Sequence, residues 1–130
     1  MRRSLFLIFN HEVTEAQKKD AGNSLDIGRV VHLPDELKQL WQQIPSDLDS
    51  IGSYLVPLKN WLVQKSIKGD YVLIQGDFGA CYLMVNLAFD LGLIPIYSTT
   101  QREAVEEYNG DGSVKLVHQF KHRIFRKYGV

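Results

Sequence analysis

The order of apolar and polar residues along the chain predicts alternating strands and helices. Ser4 to Phe9 is a continuous apolar run, and polar Asn10 and His11 follow it directly. Such a run is typical of a strand that is buried on both faces of a sheet. Similar runs predict three more strands, at Arg29 to Leu33, Tyr71 to Gln75 and Leu93 to Tyr97. Short buried strands that alternate with helical segments favour an α/β fold.

The segments between these runs have helical signals. Thr14 is placed to cap a short helix that reaches Ala21, and Pro34 opens a helix with apolar residues at helical spacing. Pro57 either kinks the next helical segment or marks its start. A wide apolar stripe from Ala80 predicts a further helix, for which Gly92 is a natural stop.

The chain after the fourth predicted strand changes character. Residues 98–102 (STTQR) are polar and are predicted to form a loop at the strand end. Residues 104–108 and 114–120 flank the turn sequence Asn-Gly-Asp-Gly and predict an antiparallel hairpin. The whole pattern predicts one domain over residues 1–130, a Rossmann-like, mostly parallel sheet with flanking helices and a C-terminal β-hairpin.

Composition narrows the classes of partner. The 15 basic and 15 acidic residues give a formal net charge of zero, which disfavours binding to long nucleic acids or anionic membranes. No apolar stretch approaches the roughly 20 residues that span a bilayer. The single Cys81 fits a reducing compartment, so we expect a cytoplasmic protein. The four histidines lack metal-binding spacing, and we expect neither a metal nor a cofactor.

The candidate site lies where the predicted strands end. Ligands of open α/β sheets bind beyond the carboxyl ends of the strands. The residues at these positions offer amide, imidazole, hydroxyl and guanidinium groups, which suit phosphates and ribose. They are Asn10 and His11 after the first strand, Gln75, Gly76, Asp77, Phe78 and Gly79 after the third, and Ser98, Thr99, Thr100 and Arg102 after the fourth. The Gly-Asp-Phe-Gly turn also lets backbone N–H groups approach an anion at the start of a helix.

Structural roles compete with binding at several of these positions. Gly76 and Gly79 suit a tight turn equally well, and Asp77 suits a helix cap. Thr99 and Thr100 fit capping roles. The basic stretch that contains His122 fits phosphate binding or a charged sheet edge. His32 is predicted inside a strand with a structural role, and Cys81 is predicted to be inert packing.

Four segments resemble the CRISPR-associated Csx-twenty family of type III systems. They are LFLIFNH, VVHLPDELKQLWQQIP, GDYVLIQGDFGACYLMVNLAFDLGLIPIYSTTQRE and FKHRIFRKYG, of which residues 69–103 are the most specific. The resemblance implies a small dimer related to CARF domains. It also implies a ring nuclease that binds and cuts a cyclic oligoadenylate messenger, with cyclic tetra-adenylate as the expected substrate.

The implied reaction is metal-independent attack of a ribose 2′-hydroxyl on the adjacent phosphate, which needs alignment and charge stabilisation but no protein nucleophile. Under this hypothesis Asn10 orients the ribose, His11 transfers a proton and Arg102 holds phosphate. The residues of the Gly-Asp-Phe-Gly turn, with Thr99 and Thr100, complete the site. A near-symmetric ring suits a homodimer. Two alternatives stay open: a non-catalytic sponge or sensor of the same messenger, and an interaction module without a nucleotide ligand.

Overall fold

The computed structural model describes residues 2–130 as a mixed α/β structure with one five-stranded sheet and four helices. The strands are β1 (Arg3–Ile8), β2 (Ile27–Val31), β3 (Tyr71–Ile74), β4 (Ile94–Tyr108) and β5 (Val114–Lys127). The helices are α1 (Glu15–Ser24), α2 (Asp35–Gln42), α3 (Val56–Lys65) and α4 (Phe78–Asp90). None of these helices has both the length and the hydrophobicity that crossing a bilayer requires.

The sheet has the strand order β2-β1-β3-β4-β5. The pairs β1–β2, β1–β3 and β3–β4 are parallel, whereas β4–β5 is the predicted antiparallel hairpin. The hairpin is longer than the sequence indicated, because β4 continues from the sheet interior to Tyr108, with one register irregularity between Ser98 and Thr100. Its outer half therefore extends beyond the parallel strands.

The core lies on both faces of the sheet, because successive residues of β1 point in opposite directions. Leu5 and Leu7 pack with Ala21 of α1 in one cluster. Phe6 and Ile8 belong to the other cluster, which contains buried residues of α2, α3 and α4. The continuous apolar run of β1 thus arises from burial on both sides, as the sequence predicted.

Two predicted strand boundaries are wrong. We expected β2 at Arg29 to Leu33, but β2 is Ile27–Val31, since its parallel register with β1 pairs Phe6 with Val31. Leu33 is buried in the core outside the strand. We also expected residues 98–102 to form a loop. They belong to β4, because β5 supplies backbone partners along this polar stretch.

Local signals fix the helix ends. Thr14 forms a capping box with Gln17, and Pro57 stands in the first turn of α3 and marks its start. Gly92 follows α4 with a φ of 72°, which only glycine adopts without strain. α1 ends at Ser24, later than predicted, and α2 ends at Gln42, before Ile44.

Candidate functional site

The direction of the chain across the sheet reverses between β1 and β3. The chain passes from β1 to β2 through α1 on one face, and from β2 to β3 through α2 and α3 on the other face. Where strand order reverses in this way, the ends of the two strands leave a crevice that commonly holds the ligand. Here it is a notch of about 200 Å³ lined by Phe9, Asn10, His11, Gln75 and Gly76.

An unpaired acceptor stands in the wall of this notch. The side-chain oxygen Oδ1 of Asn10 is buried and has no hydrogen-bond partner among residues 2–130. The backbone oxygen of Asn10 is held by Gln42, whose Nε2 donates to it at 3.2 Å. A buried acceptor without a partner costs about 1–3 kcal/mol. Because this oxygen is closed to solvent, a ligand in the notch recovers that free energy only if the Asn10 side chain turns to meet it.

Trp41 fixes the backbone on the opposite side of the notch. Its side chain is 2% exposed, and its Nε1 donates to the carbonyl oxygen of Gln75 at 2.9 Å. A Cβ atom at Gly76 would lie only 2.7 Å from that same Nε1. The packing of Trp41 therefore requires glycine at position 76, because only a residue without a Cβ lets the strand end pass directly over the indole.

An aromatic cavity of about 460 Å³ adjoins the notch and shares two of its residues. The lining residues are Gln75, Gly76, Phe78, Cys81, Tyr82, Val85, Tyr97 and Tyr128. Phe78 is 95% exposed and Tyr82 is 69% exposed, and the two lie four residues apart on one face of α4. The rings of Tyr97 and Tyr128 pack at 4.8 Å between centroids. The cavity thus presents aromatic surfaces from α4, from β4 and from the chain end.

Burial raises the pKa of two side chains that line this cavity, Tyr128 and Cys81. Burial, with smaller contributions from Cys81 and Tyr97, raises the pKa of Tyr128 to about 12. Its hydroxyl donates to the carbonyl oxygen of Ile74 at 2.6 Å. Burial also raises the pKa of the Cys81 thiol, despite a hydrogen bond at Gly76 that lowers it. A neutral, half-buried thiol is a poor nucleophile, in line with the packing role predicted for Cys81.

A positive charge borders the cavity at the chain end. The Arg126 guanidinium donates through Nη1 to the hydroxyl of Tyr97 at 3.2 Å. Its Cζ also lies 5.7 Å from the centroid of the Tyr97 ring, within range of a cation–π contact. Arg126 is exposed, so the remaining donors of its guanidinium face solvent beside the aromatic wall.

Two of the predicted ligand-binding residues bond to the protein itself. The Asp77 carboxylate accepts a hydrogen bond from Ala80 N at 2.9 Å and caps α4. Thr99 Oγ1 accepts from the backbone N–H of Ile124 at 3.1 Å and donates to its carbonyl oxygen at 3.2 Å. Asp77 is thus the helix cap that the sequence offered as its structural alternative, whereas Thr99 caps no helix and bonds to the backbone of β5. A Cβ at Gly79 would meet only ordinary contacts, so packing does not require that glycine.

Ser98 and His122 are brought together, but under α1 and away from the notch. His122 Nδ1 lies 2.5 Å from Ser98 Oγ, and His122 Nε2 lies 2.6 Å from an Asp20 carboxylate oxygen. Gln17 donates to Ser98 Oγ at 3.3 Å. Ser98 is 8% exposed, and it lines neither the notch nor the aromatic cavity. This hydrogen-bonded chain is therefore a clamp between α1 and the base of the hairpin.

The clamp predicts a pH-dependent contribution to stability. Burial raises the pKa of the Asp20 carboxyl, but hydrogen bonds from Ser24 and His122 and the charge of His122 outweigh it, so that the pKa lies below the ordinary 3.8. This contribution is present above pH 3.8 and is lost as pH falls through the lowered pKa. We expect Asp20→Asn to destabilise the protein by about 1 kcal/mol at neutral pH, and by less in acid. Urea unfolding across pH measures this difference, and a pH-independent difference would contradict it.

Two histidines border a second pocket on the other side of Phe9. His11 is exposed and packs edge-on against Phe9, with 5.4 Å between the ring centroids. His11 and His32 both line this pocket of about 210 Å³, together with Glu12 and Lys38. We expected His32 inside a strand, but it follows the end of β2. The two-residue error in the β2 boundary hid it from the set of strand-end residues. No group of three or more His, Cys, Asp or Glu in residues 2–130 is arranged to hold a metal.

Arg102 and Thr100 lie further out on the hairpin. Thr100 pairs with His122 and Arg102 pairs with Phe120 in the antiparallel register. At about 3.3 Å per residue, Arg102 is up to about 13 Å beyond Ser98 along β4. The structure therefore brings Asn10, His11, Gln75, Gly76 and Phe78 together, and does not bring Arg102 to them.

The fold and the site define the chain as an α/β protein with a candidate ligand crevice at the point where strand order reverses. It belongs to the family described as Uncharacterized protein MJ1673 family, whose model matches residues 3–126. It is similar to Uncharacterized protein MJ1673 of Methanocaldococcus jannaschii, with 50% identity over 124 residues, 95% of each chain. No solved structure matches the chain.

Proposed function

We propose that this protein is a ring nuclease with a Rossmann-like, CARF-like fold that binds a cyclic oligoadenylate, with cyclic tetra-adenylate as the preferred ring. The observation that carries the proposal is the pair of adjoining cavities at the strand ends. The aromatic cavity suits a base and the polar notch suits its ribose, and Gln75 and Gly76 form part of both walls. The resemblance of the strand-end segments to the Csx-twenty family supports the choice of messenger.

The aromatic cavity supplies the contacts for adenine. Phe78 and Tyr82 present exposed rings from α4, and Tyr97 and Tyr128 form the facing wall. Stacking of a base on an aromatic side chain is worth about 1–3 kcal/mol. The Gln75 side chain is engaged by Ser98 N at 2.8 Å, so this end of the cavity is rigid.

The notch and its surroundings supply the contacts for ribose and phosphate. Asn10 lines the notch, and its side-chain amide orients the attacking 2′-hydroxyl. His11 lines the same notch and transfers the proton. Arg126, rather than Arg102, is the guanidinium beside the cavity and pairs with a phosphate. The 2′-oxygen attacks the phosphorus as its proton passes to His11, the P–O5′ bond breaks, the leaving 5′-oxygen takes the proton from His11, and a 2′,3′-cyclic phosphate remains.

We expect Phe78→Ala to weaken binding of cyclic tetra-adenylate by roughly 5- to 150-fold, the equivalent of one lost stacking contact. Stability should change little, because the Phe78 side chain is 95% exposed. Phe89→Ala is the matched control, since Phe89 is 49% exposed on the same helix and lies outside the cavity. Titration calorimetry on both variants measures the difference. Equal affinities for the two variants would remove Phe78 from the site.

The reaction itself is tested by mixing the protein with cyclic tetra-adenylate in a chelator and separating the products by chromatography. Linear products that end in a 2′,3′-cyclic phosphate are expected. An intact ring that co-elutes with the protein would leave binding in place and refute cleavage. A ring that neither binds nor breaks would overturn the proposed ligand.

A second candidate function is a sponge or sensor that holds the same messenger without cutting it. It is favoured because Asp77, Thr99 and His122 form hydrogen bonds within the protein, which leaves fewer polar groups for catalysis. The remaining residues around the notch and cavity suffice for recognition. The two functions differ only in whether His11 reaches the leaving oxygen, and the chromatographic assay separates them.

A further inference from the structure

The outer half of the β4–β5 hairpin leaves one face uncovered. Ser98 and His122 point towards α1, to which both are hydrogen-bonded. Residues directly opposite each other in an antiparallel pair share a face, and every second residue returns to it. Beyond His122 this face therefore carries the pairs Arg102–Phe120, Ala104–His118, Glu106–Leu116 and Tyr108–Val114. Tyr108 donates to the Glu106 carboxylate at 3.1 Å, which agrees with their place on one face.

This face is apolar and exposed. Phe120 is 67% exposed, Leu116 59% and Val114 52%, and no helix of the described chain covers them. Tyr108 is 76% exposed at the far end. Contiguous exposed apolar surface on a soluble protein commonly marks a contact with another macromolecule. The opposite face differs, since Glu103 and Lys121 form an ion pair there at 3.0 Å.

The charges on the apolar face are arranged symmetrically about Ala104. Arg102 stands two residues before it and Glu106 two residues after it, on the same face of β4. Neither residue forms an ion pair within residues 2–130. A second copy turned by a two-fold axis that crosses the strands at Ala104 would place its Glu106 opposite Arg102, and its Arg102 opposite Glu106. The same rotation places Phe120 opposite the second copy's Leu116.

We propose that this face is the dimer interface, on which two copies of the chain pack hairpin against hairpin around Ala104. Phe120 of each copy then packs on Leu116 of the other, and each Arg102 meets a Glu106. Edge-to-edge pairing through β5 is disfavoured, because Lys115, Lys121 and Arg123 place like charges along that strand. The inference goes beyond the proposed function and needs no nucleotide for its test.

Reversal of the two charges tests both the surface and its symmetry. Arg102→Glu brings a second carboxylate opposite Glu106 of the other copy, and Glu106→Arg brings two guanidinium groups together. We expect each single variant to weaken the dimer at least about tenfold, because like charges in an interface cost several kcal/mol. The double variant R102E/E106R should recover the dimer, since every opposed pair is again of opposite sign. Light scattering coupled to size-exclusion chromatography measures the mass of the ligand-free protein.

The controls lie on the opposite face of the same hairpin. Glu107→Arg and Lys115→Glu change charges there and should leave the dimer intact. Circular dichroism checks that each variant is folded, and recovery in the double variant shows that the pairing of charges, rather than either substitution alone, decides dimer formation. A monomeric wild type, or a dimer that tolerates both single reversals, would overturn the inference. A ligand-free dimer with this charge dependence would stand even if cyclic tetra-adenylate failed to bind.

Discussion

His11→Ala is expected to slow cleavage of cyclic tetra-adenylate by roughly 10²- to 10⁴-fold, the usual contribution of a positioned acid or base. Affinity for the intact ring should stay close to that of the wild type, because the base stacks in the aromatic cavity, which His11 does not line. Single-turnover rates with enzyme in excess, measured beside a separate binding titration, distinguish the two effects.

His32→Ala is the comparison for this experiment. His32 lines the pocket on the far side of Phe9 and does not line the notch, whereas His11 lines both. We expect a much smaller loss of rate at His32. If the two variants lost turnover equally, proton transfer would not belong to His11 alone. A parallel loss of binding and turnover in His11→Ala would show that His11 acts in recognition.

Trp41→Ala should lower the free energy of unfolding by about 3–5 kcal/mol, the range found when a large buried aromatic side chain is removed. Trp41 is 2% exposed in the core cluster beneath Gly76, and it supplies the hydrogen bond to the Gln75 carbonyl. Its loss therefore empties a large core volume and releases the strand end that forms the site. Urea unfolding followed by circular dichroism measures the change.

Two further variants separate packing from hydrogen bonding at this position. Trp41→Phe keeps an aromatic ring but removes the N–H donor. We expect its packing to cost less free energy of unfolding than in Trp41→Ala, and the lost hydrogen bond to cost about 1 kcal/mol more. Trp61→Ala is the matched control, because Trp61 is only partly buried and packs edge-on against Phe6 at 5.6 Å. A larger loss at Trp61 than at Trp41 would contradict the assigned role of Trp41.

The parts of the fold that depend on local sequence could be predicted. The apolar run of β1, the Thr14 cap, the start of α3 at Pro57 and the hairpin turn after Tyr108 each have a signal within a few residues. The same holds for Asn10, His11 and Gln75, whose position depends only on where two buried strands end.

The parts of the fold that depend on contacts between distant segments could not be predicted from the sequence. The β2 register is set by pairing with β1, which no local pattern reveals, and the sequence therefore wrongly predicts His32 inside a strand. The polar residues from Ser98 to Arg102 are strand only because β5 returns beside them. The clamp partner of His122 is Asp20, and no local pattern links them. Tyr97 and Tyr128 likewise meet only in the folded chain.

The clamp between Asp20 and His122 also constrains the order in which the protein is assembled. The two residues are 102 positions apart, so α1 leaves the ribosome long before the strand that holds it in place. A contact of such high sequence separation forms late and at a large entropic cost of loop closure. Before β5 is added, α1 has only its packing in the core cluster with Leu5 and Leu7 and its hydrogen bond to Ser98 of β4, and the contact with His122 forms when β5 joins the sheet.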